Sequence, residues 1–149
     1  YLYKQYTEER KAYLQKHRNV SEYHSENLMF ALLEDILSDS RFSTMGIVCH
    51  FPMNMLIREL SLLNEEECRY VMHPATHVDF LIYNRITKKP VLAVEVDGYA
   101  YHKEGTIQAS RDEKKDRIME LYGVPLIRLA TNGSGERERI VEMLEKIGN

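Results

Sequence analysis

The fold is decided by the stretch VDFLIYNRITKKPVLAVEVDGYAYH, residues 78–102, in which two strand-like runs carry carboxylates. Residues 77–83 and 91–97 are rich in Val, Leu and Ile, and the polar segment 84–89 between them favours a turn. We therefore predict an antiparallel hairpin with a loop longer than two residues. The second run is apolar on both faces, which is typical of a central strand that is covered on both sides.

Three carboxylates lie in these apolar runs: Asp79 near the start of the first strand, and Glu95 and Asp97 at the end of the second. Glu95 and Asp97 are two residues apart, so their side chains should point to the same face of the strand. A carboxylate in a buried strand needs a partner, a proton or a metal ion, and two like charges repel unless a cation lies beside them. The pattern predicts a pocket of oxygen ligands for a divalent cation, although Asp79 alone also fits a solvated strand end.

The whole chain predicts a mixed α/β (α+β) domain with a mixed central sheet flanked by helices. The predicted elements are a helix at 22–38, strands at 45–50 and 53–57 separated by Pro52, an irregular segment at 58–76 with one helical turn near 65–70, the hairpin, a helix at 107–122, a strand at 126–129 and a helix at 136–147. Because the chain begins with Tyr1 rather than Met, we expect residues 1–20 to be a connecting helix from a missing N-terminal region. Residues 21–149 are then the domain itself.

Composition limits the class of protein. The 149 residues suffice for one domain with a sizeable core, and no apolar run or leader resembles a membrane span or a signal peptide. Cys49 and Cys68 give no disulfide framework, so we expect an intracellular, cytoplasmic setting in a bacterial cell. The net charge of −3 argues against non-specific coating of nucleic acid. It does not argue against a nuclease, since a bound cation reverses the local charge of an acidic site.

Three further side chains are candidates for a place beside the carboxylates. His102, in the loop after the second strand, is either a general base or an ordinary solvated histidine. In the next helix, Lys115 and Arg111 extend the apolar face and should point at the sheet edge. Lys115 either stabilises negative charge on a phosphate or extends its stem along the core rim. Glu26, at the flank of the first helix's apolar stripe, either holds a metal-bound water or interacts with the helix dipole.

A zinc site is a competing interpretation of the remaining metal-binding side chains. Cys68, His73 and His77, together with Cys49 or His50, could bind zinc, but a set of four ligands is not obvious. The spacing Cys68-x4-His73-x3-His77 also matches no well-defined zinc motif. The sequence therefore favours the carboxylate site over the zinc site.

In combination, these residues resemble the PD-(D/E)XK nuclease superfamily. The matching order is Glu26, Asp79, Glu95-Val96-Asp97-Gly98, His102, Asp112-x-x-Lys115-Asp116 and Gly123-Val124-Pro125-Leu126-Ile127-Arg128. The similarity covers about residues 21–130. It is closest to the branch related to very-short-patch-repair endonucleases, whose modules are often attached to the C-terminus of superfamily 1 DNA helicases.

The resemblance implies a restriction-endonuclease-like α-β-β-β-α-β core and Mg²⁺-dependent cleavage of DNA, with Mn²⁺ as a substitute. It implies that Asp79, Glu95 and the backbone carbonyl of Val96 bind the metal ion. It also implies that Glu26 is the family's helix glutamate and that His102 is the general base of the repair-endonuclease branch.

The sequence departs from the family pattern at two positions. Val78 stands where the proline of the family name is expected, which is common drift, and Asp97 stands where its lysine is expected. Either Lys115 supplies the missing positive charge from the helix, or a second metal ion bound by Asp97 does.

We therefore predict a metal-dependent endonuclease whose candidate catalytic residues are Glu26, Asp79, Glu95, Asp97, His102 and Lys115. Its expected partners are DNA and an N-terminal helicase-type ATPase region of the same polypeptide, in a DNA-processing or repair protein. The alternative is a catalytically silent nuclease-like domain that binds DNA or a partner domain.

Overall fold

The structure is a computed structural model that describes residues 8–9, 24–97, 107–130 and 135–148. The predictions for residues 1–20, apart from Glu8 and Glu9, and for His102 lie outside the described residues. The helices are α1 (His24–Leu37), α2 (Met53–Leu56), α3 (Glu65–Met72), α4 (Ile107–Leu121) and α5 (Glu136–Gly148). The strands are β1 (Met45–Pro52), β2 (His77–Asn84), β3 (Pro90–Asp97) and β4 (Leu126–Ala130), and a 3₁₀ turn covers Ser40–Phe42.

The four strands form one sheet in the order β1-β2-β3-β4. β1 and β3 each pair antiparallel with β2, whereas β4 pairs parallel with β3. The predicted hairpin is confirmed, and β3 is a central strand as its apolar faces indicated. The fold class is also confirmed, since a four-stranded mixed sheet is flanked by helices.

Two core clusters cover the two faces of the sheet. Leu92 and Val94 of β3 belong to the cluster formed with α1 and α5, while Ala93 belongs to the cluster on the other side, with α2, α3 and α4. Because side chains alternate along a strand, Glu95 shares the face of Ala93 and therefore points toward α4. The apolar pattern of β3 thus determines on which side of the sheet its carboxylates lie.

The strand predicted at 53–57 is wrong. β1 continues through Pro52 and the chain then turns into the short helix α2, where the N–H of Ile57 donates to the carbonyl of Met53 at 2.8 Å. Met53 and Ile57 are both buried, because one helical turn places these two residues on the same side. An apolar run this short cannot distinguish a strand from a buried helical turn.

The single turn predicted near 65–70 is longer in the structure, where it is the two-turn helix α3. Asn64 caps its first turn: the Asn64 side chain accepts from the Glu67 N–H at 2.8 Å, and Glu67 accepts in return from the Asn64 N–H at 3.0 Å. This capping box satisfies two backbone N–H groups that have no partner within the helix. The Glu67 carboxylate also pairs with Arg117 of α4, and this ion pair holds α3 beside α4.

Candidate active site

A cleft of about 910 Å³ lies on the α4 side of the sheet, at the ends of β2 and β3. Helices α3 and α4 supply its other walls. The charged residues that line it are Glu66, Arg69, Asp79, Glu95, Asp97, Arg111, Asp112, Lys114 and Lys115, and Tyr70, His73, His77 and Val96 lie among them. The structure therefore brings together in one cleft five residues that the sequence indicated as candidates: Asp79, Glu95, Asp97, Arg111 and Lys115.

Asp79 and Glu95 hold the two strands together where the regular pairing stops. The Cα register of β2 and β3 extends to the pair Phe80 and Val94. Beyond it, Oδ2 of Asp79 accepts from the Val96 N–H at 2.8 Å, and Oε2 of Glu95 accepts from the Asp79 N–H at 3.1 Å. Each carboxylate thus binds backbone of the opposite strand, which fixes both side chains relative to each other.

Lys115 reaches this carboxylate pair from α4. Its ammonium group forms an ion pair with Oε1 of Glu95 and donates to the backbone carbonyl of His77 at 2.8 Å. Both partners are nearly buried, with 12% of the Lys115 side chain and 8% of the Glu95 side chain exposed. A charge pair held out of water is stronger than the same pair on the surface, but it has lost its hydration.

The environment moves the two carboxyl pKa values apart. Burial, opposed by Lys115 and reinforced by the negative charge of Asp79, raises the pKa of Glu95 to about 7. Burial also acts against ionisation of Asp79, but His77 and the Val96 N–H outweigh it and keep the pKa of Asp79 below its ordinary value. Once Glu95 ionises, the carboxylates of Asp79 and Glu95 together carry more negative charge than Lys115 alone neutralises. An added cation would compensate for the excess negative charge.

Asp97 lies in the same cleft but interacts with the neighbouring strand. Its Oδ1 is 3.6 Å from Nε of Arg128, which projects from β4. Arg128 also donates to Asp116 at 2.9 Å and lies 3.6 Å from Asp112, so it joins three acidic side chains. Burial acts to lower the pKa of Arg128, but the hydrogen bond to Asp116 and the charges of Asp112, Asp116 and Glu95 outweigh it and raise that pKa. The parallel pairing of β3 with β4 thus gives Asp97 a cationic partner that local sequence could not reveal.

Two histidines connect Glu26 with the carboxylate pair. Sequence pattern alone indicated no role for them at this site. Oε1 of Glu26 is 2.9 Å from Nε2 of His50, and the His50 and His77 rings meet edge to face with centroids 5.1 Å apart. Nε2 of His77 is 3.6 Å from Oδ1 of Asp79. Proximity to Asp79 raises the pKa of His77 above its ordinary value, although burial opposes this shift. Glu26 is therefore linked to the site through His50 and His77.

A family model described as "Protein of unknown function (DUF2726)" matches residues 20–147. The chain belongs to the DUF2726 family. Searches of curated proteins and of solved structures found no match to the chain. Within the parts of the chain that the structure describes, this DUF2726 member has no helix that is long and apolar enough to cross a membrane.

The ion expected in the DUF2726 site is Mg²⁺. Among the described residues, no three His, Cys, Asp or Glu side chains form a group able to hold a metal ion. The zinc arrangement of Cys68, His73 and His77 is therefore not formed. Mg²⁺ makes a smaller demand, because it typically uses one or two carboxylates and keeps several waters. The carboxylates of Asp79 and Glu95, which are fixed by hydrogen bonds and line the cleft, are the oxygen ligands that such an ion would use.

Proposed function

We propose that this domain hydrolyses DNA phosphodiester bonds with a divalent cation, Mg²⁺ or in its place Mn²⁺. The observation that carries the proposal is the convergence of Asp79, Glu95 and Lys115 in one cleft. Two carboxylates on neighbouring strands and a lysine on the adjacent helix are groups that metal-dependent phosphodiester cleavage can use. The resemblance to repair endonucleases supports the same chemistry, and it further suggests a nuclease module within a larger helicase-like protein.

Asp79 and Glu95 would hold the cation, with the carbonyl of Val96 as a third oxygen ligand. A cation bound there supplies charge stabilisation at the phosphate and lowers the pKa of a bound water. The protein's own contribution is geometric: the hydrogen bonds across β2 and β3 fix both carboxylates before substrate arrives. Prior fixation avoids the free-energy cost of ordering these groups during the reaction.

In this proposal Lys115 replaces the lysine that the PD-(D/E)XK superfamily carries in the strand that corresponds to β3. Its ammonium group is held beside Glu95 by two acceptors and lines the cleft in which a phosphate would lie. Arg111 and Lys114 line the same cleft and would contact phosphates next to the scissile one. Asp97 is assigned to charge balance with Arg128 rather than to a second cation.

A catalytically silent domain that binds DNA or a partner is the second candidate. The observation that favours it is the internal pairing of the carboxylates, since Lys115 and two backbone N–H groups already occupy acceptor positions on Asp79 and Glu95. A site whose charges are satisfied by protein groups alone needs no cation for its stability. Millimolar Mg²⁺ or Mn²⁺ that leaves the melting temperature unchanged would favour this candidate.

The deciding experiment incubates the domain with supercoiled, linear and single-stranded DNA in the presence of Mg²⁺, Mn²⁺ or EDTA. We expect cleavage with either cation and none in EDTA. Asp79→Ala and Glu95→Ala should each abolish cleavage, whereas Glu113→Ala, an exposed carboxylate of α4, should preserve it. Circular dichroism confirms that each variant is folded. Full activity of Asp79→Ala or Glu95→Ala, or of the wild-type protein in EDTA, would refute the mechanism.

A further inference from the structure

We infer that Glu26 is a positioning residue that acts on Asp79 through His50 and His77. The inference rests on the proposed function, in which Asp79 must present a fixed carboxylate. Glu26 lies on α1, on the other side of the two histidines from Asp79, and its carboxylate contacts the His50 ring at 2.9 Å. A direct role for Glu26 at a metal-bound water is therefore replaced by an indirect one.

The orientation of His77 is fixed from three directions. Nδ1 of His77 is 2.9 Å from the carbonyl of Ala75, so that nitrogen must carry the hydrogen and Nε2 faces Oδ1 of Asp79. The backbone carbonyl of His77 accepts a hydrogen bond from the Lys115 ammonium group at 2.8 Å. The His50 ring meets the His77 ring at an interplanar angle of 77°. His77 therefore contacts both Asp79 and Lys115, one through its ring and one through its backbone.

His50 is held in an uncommon backbone conformation at the point where it joins this chain of contacts. Its φ of 50° lies in the left-handed region, which is uncommon for residues other than Gly but which His, like Asn and Asp, adopts more often than most. The β1–β2 register places it between Cys49, opposite Phe80, and Phe51, opposite Val78. Such outliers persist where the surroundings fix them, and they occur frequently at functional sites. Here the Glu26 carboxylate and the His77 ring are the surroundings of the His50 side chain.

The first test measures the coupling without any cation or substrate. Long-range ¹H–¹⁵N spectra of the apo protein report the protonation and hydrogen bonding of each imidazole nitrogen. We expect Glu26→Leu to shift the nitrogens of both His50 and His77, because the His50 ring loses its anchor and the His77 ring moves with it. Glu34→Leu, on the exposed side of the same helix, is the matched control and should shift neither. A response confined to His50 would overturn the inference.

The second test measures turnover. We expect Glu26→Leu and His50→Phe to lower kcat by about 10- to 100-fold, the usual effect of removing a group that orients a metal ligand. KM for DNA should stay unchanged. Glu26→Gln keeps an oxygen acceptor for His50 and should restore most of kcat. Unchanged kcat in both Glu26→Leu and His50→Phe would overturn the inference, whereas absence of cleavage by the wild-type protein would refute the proposed function and leave the decision to the spectra.

Discussion

Replacing Lys115 by Met separates the two parts that its ammonium group plays, one in stability and one in the reaction. Met preserves the length and apolar stem of the side chain, so the packing of α4 against the sheet is maintained. The substitution removes the ion pair with Glu95 and the hydrogen bond to the His77 carbonyl. Any change that follows can be attributed to the lost charge and its hydrogen bonds.

The loss of stability in Lys115→Met should be smaller than is usual when one member of a buried ion pair is removed. Leaving one member of such a pair without its partner typically costs about 3–5 kcal/mol. Here the pKa of Glu95 is about 7 even with Lys115 beside it, so the carboxyl can take up a proton when the lysine is removed. The stranded charge is thereby avoided, and we expect a loss of about 1–2 kcal/mol at pH 7.

The effect on the reaction should be large. A preorganised donor that stabilises developing negative charge contributes about 10²–10³ in kcat, or roughly 3–4 kcal/mol. The assay is single-turnover cleavage of a labelled DNA in saturating Mg²⁺ for the wild type, Lys115→Met, Lys115→Arg and Lys146→Met. Lys146 is exposed on α5 and is the matched control. Lys115→Arg retains the charge and should recover part of the rate.

A single-turnover rate of Lys115→Met within about threefold of the wild-type rate would contradict this role, because a donor used in the transition state cannot be dispensable. A loss of more than about 4 kcal/mol in stability would instead show that Glu95 stays charged without Lys115. Chemical denaturation at pH 7, analysed as a two-state transition, measures that quantity.

Three further predictions concern the surroundings of the site. Because the pKa of Glu95 is raised, its protonated form stabilises the fold below its ordinary pKa, and that contribution is lost as the pH rises to about 7. The wild type should therefore lose about 2 kcal/mol relative to Glu95→Gln between pH 5 and 7 in metal-free denaturant titrations; parallel curves would contradict it. Arg128→Leu leaves Asp97 without its nearby guanidinium and should lower the melting temperature at pH 7, with partial recovery in Arg128→Leu/Asp97→Asn. Asn64→Ala removes the cap of α3 and should cost about 1 kcal/mol in urea unfolding, whereas Asn64→Asp should cost little.

The central part of the fold could be predicted because local pattern determined it. The apolar residues on both faces of β3 indicated its central place, and helical spacing directed Lys115 toward the sheet edge, where the structure brings it to Glu95. These inferences required only the periods of a strand and of a helix. The cap of α3 was also detectable, since Asn64 and Glu67 have the spacing of a capping box, but the charged composition of that segment obscured it.

The remaining contacts depend on which strands become neighbours, and local pattern does not determine this. His50 and His77 come together because β1 pairs with β2, and Arg128 reaches Asp97 because β4 joins β3 in parallel. Each pair is separated by more than 25 residues in the sequence. A register shift of one residue would send either side chain to the opposite face of the sheet. The partners of Glu26 and Asp97 therefore required the structure.

The segment 53–76, which carries α3 and forms one wall of the cleft, leaves and re-enters the sheet at a single point. Its ends adjoin Pro52 and His77, which are paired across β1 and β2. Extending a closed excursion of this kind raises its closure entropy only slowly, so the exposed parts of the segment could lengthen without moving Asp79 or Glu95. Met53, Ile57 and Val71, in contrast, are buried in the core and anchor the segment. The carboxylates of the cleft thus belong to the sheet, while one of its walls belongs to a segment that is tied to the sheet at both ends.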